Sequence, residues 1–192
     1  LAVNGYAYPN INRQVLRKTL PYLTYLSVFS YGFQPGGALL TQNDREIVAT
    51  AREFGVQPLM VLTTINAQGQ FSSEQAHRLL NDAAEQRSLT ESLRRELLAR
   101  GYSGLDVDFE YIPQGDAQAY SEFIAKLTSD LAPSGLTVMT ALAPKTSADQ
   151  QGLLYEAHDY SALGRASRDV LLMTYEWGYS RSQPMAVAPV DK

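Results

Sequence analysis

The sequence contains no cysteine. That excludes a disulfide framework and any Cys-ligated metal site, and it leaves the compartment open. No stretch approaches the roughly 18 consecutive apolar residues that mark a membrane-spanning helix. No signal-peptide pattern opens the chain, and its first residue is Leu1 rather than methionine, so a processed form or a piece of something longer is expected. A basic surplus is also missing: 16 Lys and Arg stand against 20 Asp and Glu, a net charge of −4. A sequence-independent nucleic-acid binder needs a cationic footprint, so nucleic acid is not an expected partner. There are 2 histidines, and a zinc site needs several N or S ligands converging, so no metal site is expected. His77 reads as a surface residue of a helix, and His158 as a residue held by a structural hydrogen bond.

What is present is ordinary for a folded domain. Apolar residues make up 45% and charged residues 19%, which excludes a disordered chain. A length of 192 residues matches one domain with a real core. Six short apolar runs bounded by polar or Gly/Pro residues read as strands: Ala2–Tyr8, Thr24–Tyr31, Pro58–Thr64, Gly104–Glu110, Leu136–Ala143 and Asp169–Glu176. Continuous apolar runs of this kind belong to strands covered on both faces in a parallel sheet. Between them lie helical stretches at Asn10–Leu20, Asn43–Phe54, Ser72–Arg100, Asp116–Leu131 and Ala157–Arg165. The long third stretch carries two capping boxes, Ser72 with Gln75 and Ser88 with Glu91, so a restart at Ser88 is expected inside it. An alternating series of this kind folds as an α/β domain, either an open doubly wound sheet or a closed (β/α) barrel.

The stretch Ser103-Gly-Leu-Asp-Val-Asp-Phe-Glu110 carries the most chemistry. Alternate residues of a strand share a face, so Asp106, Asp108 and Glu110 point one way and Leu105, Val107 and Phe109 the other. A solvated acidic face is the bland alternative. In a βα series both faces of a strand are covered, so three carboxylates on one face are costly and at least one must take up a proton. A carboxyl group that holds its proton near neutral pH is what a general acid requires. Glu110 falls at the C-terminal end of its strand, where active sites of barrels and open α/β sheets lie.

This run resembles the strand-four signature of glycoside hydrolase family 18, the chitinase-like family: an acidic residue, Gly, an apolar residue, then three acids at alternate positions ending in glutamate. Ser103 replaces the first acid. A second motif, Met173-Thr-Tyr-Glu176 on the sixth strand, is similar to the family's Met-x-Tyr-Asp, with Glu176 in place of aspartate. The family's Ser-x-Gly-Gly on strand three has no counterpart in Leu59-Met-Val-Leu-Thr-Thr-Ile65. The runs Ala141–Ser147, Tyr155–Tyr160, Met173–Gly178 and Pro184–Pro189 resemble the spore-germination branch of the family, the cortical-fragment-lytic enzymes.

The resemblance implies a (β/α)8 TIM barrel and retaining hydrolysis of glycans next to N-acetylglucosamine. Substrate assistance would replace the usual second carboxylate. Glu110 would be the general acid and then the base. Asp108 would orient the 2-acetamido group, Asp106 would pair with Asp108, and the Tyr175 hydroxyl would hold the acetamido carbonyl oxygen. No cofactor is implied. The implied substrate is bacterial peptidoglycan or a chitin-type glycan, and the implied location is secreted or attached to the cell wall or spore, with LysM modules as candidate companions in the native chain. Position alone adds Trp177, Glu176, Tyr6, Tyr31 and Lys145 as substrate-binding candidates near strand ends.

Two other classes compete. A catalytically silent carbohydrate-binding barrel would typically lack the acid that Glu110 supplies. A Mg²⁺ or Ca²⁺ enzyme would need Asp106, Asp108 and Glu110 to converge on one ion, whereas side chains at alternate positions line up along a strand. A (β/α)8 barrel typically needs about 250 residues. With six predicted strands, residues 1–192 are therefore expected to be a single catalytic barrel domain truncated after the sixth strand, with about six of eight βα units.

Overall fold

The computed structural model describes residues 1–175 and 183–188. Six strands form one parallel sheet: β1 (Asn4–Ala7), β2 (Tyr25–Phe33), β3 (Gln57–Thr63), β4 (Gly104–Asp108), β5 (Thr137–Leu142) and β6 (Asp169–Leu172). They neighbour one another in chain order, β1 to β6, and a two-residue antiparallel segment at Leu39–Leu40 pairs with the end of β2. A doubly wound sheet reverses its strand order partway. This sheet winds in one direction and curls, which removes the open doubly wound alternative.

Six helices connect the strands among the described residues: α1 (Arg13–Thr19), α2 (Arg45–Glu53), α3 (Ser73–Asn81), α4 (Ala83–Arg100), α5 (Ala117–Leu131) and α6 (Tyr160–Ala166). Polar side chains close the N-terminal amides of four of the six. Asn12 accepts from the Gln14 and Val15 amides, Ser72 from Gln75, and Asp159 from Ala162, as Asn, Ser and Asp do at such positions. The long helical stretch does restart, but not at Ser88. The break falls at Asp82, whose carboxylate caps the Ala84 and Glu85 amides. Ser88 lies within α4 and donates its hydroxyl to the Gly36 carbonyl at 2.6 Å. Gly101 ends α4 in the left-handed region, at φ 82°, where glycine meets no steric cost.

The two faces of the sheet differ. Leu26, Val28, Met60, Leu62, Leu105, Val107 and Val138 pack outward with Ile47, Val48, Leu93, Leu97, Phe123, Ile124 and Leu127 of the helices in one apolar core. Phe109 continues that side, stacked against Tyr120 at 5.8 Å and Phe123 at 6.1 Å. The opposite face carries Ser27, Leu59, Val61, Asp106, Asp108, Met139 and Ala141. In register, Asp106 stands between Val61 and Met139. Gly104 lets β5 approach β4: a Cβ there would lie 2.1 Å from the Thr137 carbonyl oxygen.

Candidate active site

β4 is fully buried along its five residues. The predicted strand to Glu110 is therefore two residues too long, since β4 ends at Asp108 and Phe109 and Glu110 follow it. Asp106 is wholly inaccessible and Asp108 is 5% exposed, whereas Glu110 is half-buried at the mouth. The alternation read from the sequence places the three carboxylates in a gradient from sealed to open.

Two hydroxyls hold Asp106. Tyr6 of β1 donates to its Oδ2 at 2.6 Å, and Ser27 of β2 lies 2.8 Å from the same oxygen. Burial raises the Asp106 carboxyl above its ordinary range, and those two hydrogen bonds oppose the rise. Asp108 is pushed up to about 7, first by burial, then by the charges of Glu110 and Asp106. The Oδ1 atoms of Asp106 and Asp108 have no hydrogen-bond partner among the described residues. A buried carboxylate oxygen without a donor is costly, and a bound proton removes that cost. Below about pH 7 Asp108 therefore carries a proton beside Glu110. Burial beside Asp106 also raises the Tyr6 hydroxyl, which stays a donor at all working pH values.

These groups open into a cleft of about 530 Å³ at the C-terminal ends of the strands, lined by Tyr6, Tyr8, Phe29, Asp108, Glu110, Tyr111, Tyr155, Met173 and Tyr175 among others. Tyr6 and Tyr8 each meet Phe29 edge-to-face, with centroids 6.5 and 5.5 Å apart, and Phe71 meets Tyr111 at 6.1 Å. Polar atoms at the floor and aromatic rings on the walls suit a sugar, which presents hydroxyls at its edge and C–H groups on its faces.

Of the sequence candidates, Glu110, Asp108, Tyr6 and Tyr175 line one cleft, and Asp106 braces it from beneath. Tyr31 does not belong to it. It is wholly buried, and its hydroxyl donates to Asp44, which also accepts from Tyr102 at 2.5 Å and from Arg100 Nη1 at 2.7 Å. The pairing of β2 with β3 shifts register between Val28 and Tyr31. Such an irregularity reverses which face the following residues present, so Phe29 faces the cleft and Tyr31 the helices. Lys145 also misses the cleft and lines a neighbouring cavity. Glu176 and Trp177 lie outside the described residues. Tyr8, Phe29, Tyr111 and Tyr155 were not among the candidates. Tyr8 and Tyr111 carried a readable signal, since each lies close to a named candidate in the chain.

His158 is structural. Its Nδ1 accepts from the Ala143 amide at 2.9 Å and its Nε2–H donates to the Phe109 carbonyl at 3.0 Å. Burial lowers its pKa, so the ring is neutral and ties β4 to β5 just behind Glu110. His77 is exposed, as read, and pairs with buried Asp116 at 2.7 Å. Asn81 donates to the same carboxylate at 2.9 Å. Asp116 stands at the cap position of α5 without capping it, and so fastens the connection that follows Glu110 to α3.

No family model matches the chain. It is 38% identical over 193 residues to the cortical fragment-lytic enzyme of Bacillus subtilis (strain 168), an alignment that takes in 97% of this chain and 44% of that relative. The crystal structure of the Bacillus cereus spore cortex-lytic enzyme SleL superposes with a TM-score of 0.92 at 32% identity, covering 100% of this chain and 45% of that one. A chitinase from Chromobacterium violaceum ATCC 12472 superposes at 0.87 with 21% identity over 100% of this chain and 61% of that one, a likeness of fold. The chain thus spans less than half the length of the two cortex-lytic relatives.

Proposed function

We propose, from the premise that this chain belongs with the spore cortex-lytic, chitinase-like glycoside hydrolases, that its cleft hydrolyses peptidoglycan next to N-acetylglucosamine with retention of configuration. Residues 1–192 are read as one catalytic domain carrying six βα units of a (β/α)8 barrel, associated with the spore or cell wall. The sequential winding of the sheet and the SleL likeness support that reading.

The observation that carries the chemistry is the graded row of acids. Asp108, with a pKa of about 7, stands between sealed Asp106 and Glu110 at the mouth. Glu110 gives its proton to the glycosidic oxygen as the bond to C1 breaks. The 2-acetamido oxygen of the same sugar attacks C1 from the opposite face, so no second protein carboxylate is needed as nucleophile. Positive charge develops on the acetamido nitrogen, where Asp108 receives it, and the Tyr175 hydroxyl steadies the acetamido oxygen. Water then attacks C1, the ring formed by the acetamido group opens, and the Glu110 carboxylate accepts the water's proton. The two inversions at C1 amount to retention.

Two matched glycans test this, one N-acetylated and one de-N-acetylated, with the first-formed anomer followed by NMR. The N-acetylated glycan is expected to be cleaved to the retained anomer and the other to resist by at least about a thousandfold. Equal cleavage of both, or an inverted product, would overturn the mechanism.

A further inference from the structure

Beside the cleft lies a second cavity, of about 560 Å³, whose lining includes Lys145, Thr146, Ser147, Glu156, His158 and Tyr160. The same two chain segments wall both spaces. Pro144 and Tyr155 face the cleft, and their neighbours Lys145 and Glu156 face the second cavity.

The Lys145 ammonium is held in place. It donates to the His158 carbonyl at 3.0 Å and lies 5.8 Å from the centre of the Tyr160 ring. An ammonium has three donors, so two remain after that bond, and no carboxylate pairs with it among the described residues. His158 in turn grips Phe109 and Ala143, which fixes the position of the ammonium relative to the catalytic strand. Glu156 is half-buried, and its carboxylate makes no hydrogen bond or ion pair among the described residues. The Asp159 carboxylate, by contrast, is engaged at the start of α6. One cavity therefore presents a cation and an anion that do not pair with each other. Partly buried charges without partners are unfavourable until something completes them.

We infer that this cavity binds a short zwitterionic peptide branch of the glycan whose sugar occupies the cleft. The branch carboxylate meets Lys145 and its ammonium meets Glu156. The inference rests on the glycosidase reading and narrows it: a chitin-type chain has no group to place there, whereas a peptidoglycan strand carries peptide substituents with free carboxylates and amines. The consecutive residues of the shared wall, 144–145 and 155–156, give a branch only a single ridge to cross. The cavity then selects among glycans without touching the reacting bond, a matter of complementary charge.

The test uses the Glu110→Gln chain, which is not expected to turn over. Isothermal titration compares a disaccharide bearing a short peptide with the same disaccharide lacking it. The peptide is expected to tighten binding about tenfold. Adding Lys145→Gln or Glu156→Gln is expected to bring the two ligands to within about twofold of each other. Thermal unfolding verifies that each variant is folded. No gain from the peptide, or a gain that survives both substitutions, would overturn the inference. The glycosidase reading fails on a separate result, the absence of turnover by the unsubstituted chain on either glycan, and these binding comparisons still decide whether the cavity recognises the branch.

Discussion

At the scale of single residues, Asp108 governs how the molecule responds to pH. Its carboxyl ionises near 4 in an unfolded chain and at about 7 in the folded one. Between those values the folded state holds a proton that the unfolded state has released, so stability falls as pH rises through that window. Asp108→Asn removes the charge and keeps the shape. At pH 7.5 the variant is expected to be more stable by on the order of 2 kcal/mol, and its stability should change less between pH 4 and 7. Urea denaturation at pH 5 and pH 7.5 checks both statements. Activity should fall by at least about a hundredfold, the trade of a site that holds its acids in an unfavourable setting. The alternation that grouped Asp106, Asp108 and Glu110 was legible because nothing interrupts β4. Tyr31 was a candidate for its place near a strand end alone, and it faces the helices because of an irregularity in β2 that leaves no mark in the residue types.

At the scale of elements, the helix and strand series was readable because each element has its own periodicity, but a restart inside one periodic stretch was not. Ser88 and Glu91 satisfy the spacing of a capping box, and so does Asp82 with Glu85. The choice between them is made by tertiary contacts. Ser88 is engaged by Gly36 across 52 positions of sequence, and Arg78 pairs with Glu85. Asp82→Ala is expected to lower the unfolding temperature through loss of the cap on the Ala84 and Glu85 amides. If Ser88 opened the helix, Ser88→Asp would be tolerated, since Asp caps a helix as well as Ser does. In this structure it breaks the bond to Gly36 instead and is expected to destabilise. Thermal unfolding of both variants distinguishes the arrangements. The link from Asp116 to His77 and Asn81 was equally hidden, because it joins residues 35 or more positions apart. It matters because it steadies the segment that begins at Glu110.

At the scale of the whole molecule, the one-way winding puts the C-terminal ends of all six strands on one rim, and the cleft forms there. The βα alternation left a doubly wound sheet and a barrel both open, and the family resemblance pointed to the barrel, while the acidic row was legible from one strand's pattern. The rest of the aromatic wall, Phe29 and Tyr155, and the second cavity were not, because Phe29 adjoins the irregularity of β2 and the others belong to connections whose paths are set by packing. The outer side of β6 leaves Val170 and Leu172 exposed, at 42% and 45%. Apolar side chains on an outer strand invite association. The 192-residue chain is therefore expected to self-associate with rising concentration, and Val170→Lys with Leu172→Lys to reduce this, as read by light scattering.

All these scales meet at Glu110, which the mechanism makes the only proton donor to the leaving oxygen. Turnover of peptidoglycan fragments by Glu110→Gln, measured beside the unsubstituted chain with folding verified by circular dichroism, tests that claim most directly. A fall in kcat of about a thousandfold or more, with fragment binding retained, is the expected result. Turnover within about tenfold of the unsubstituted chain would contradict the account.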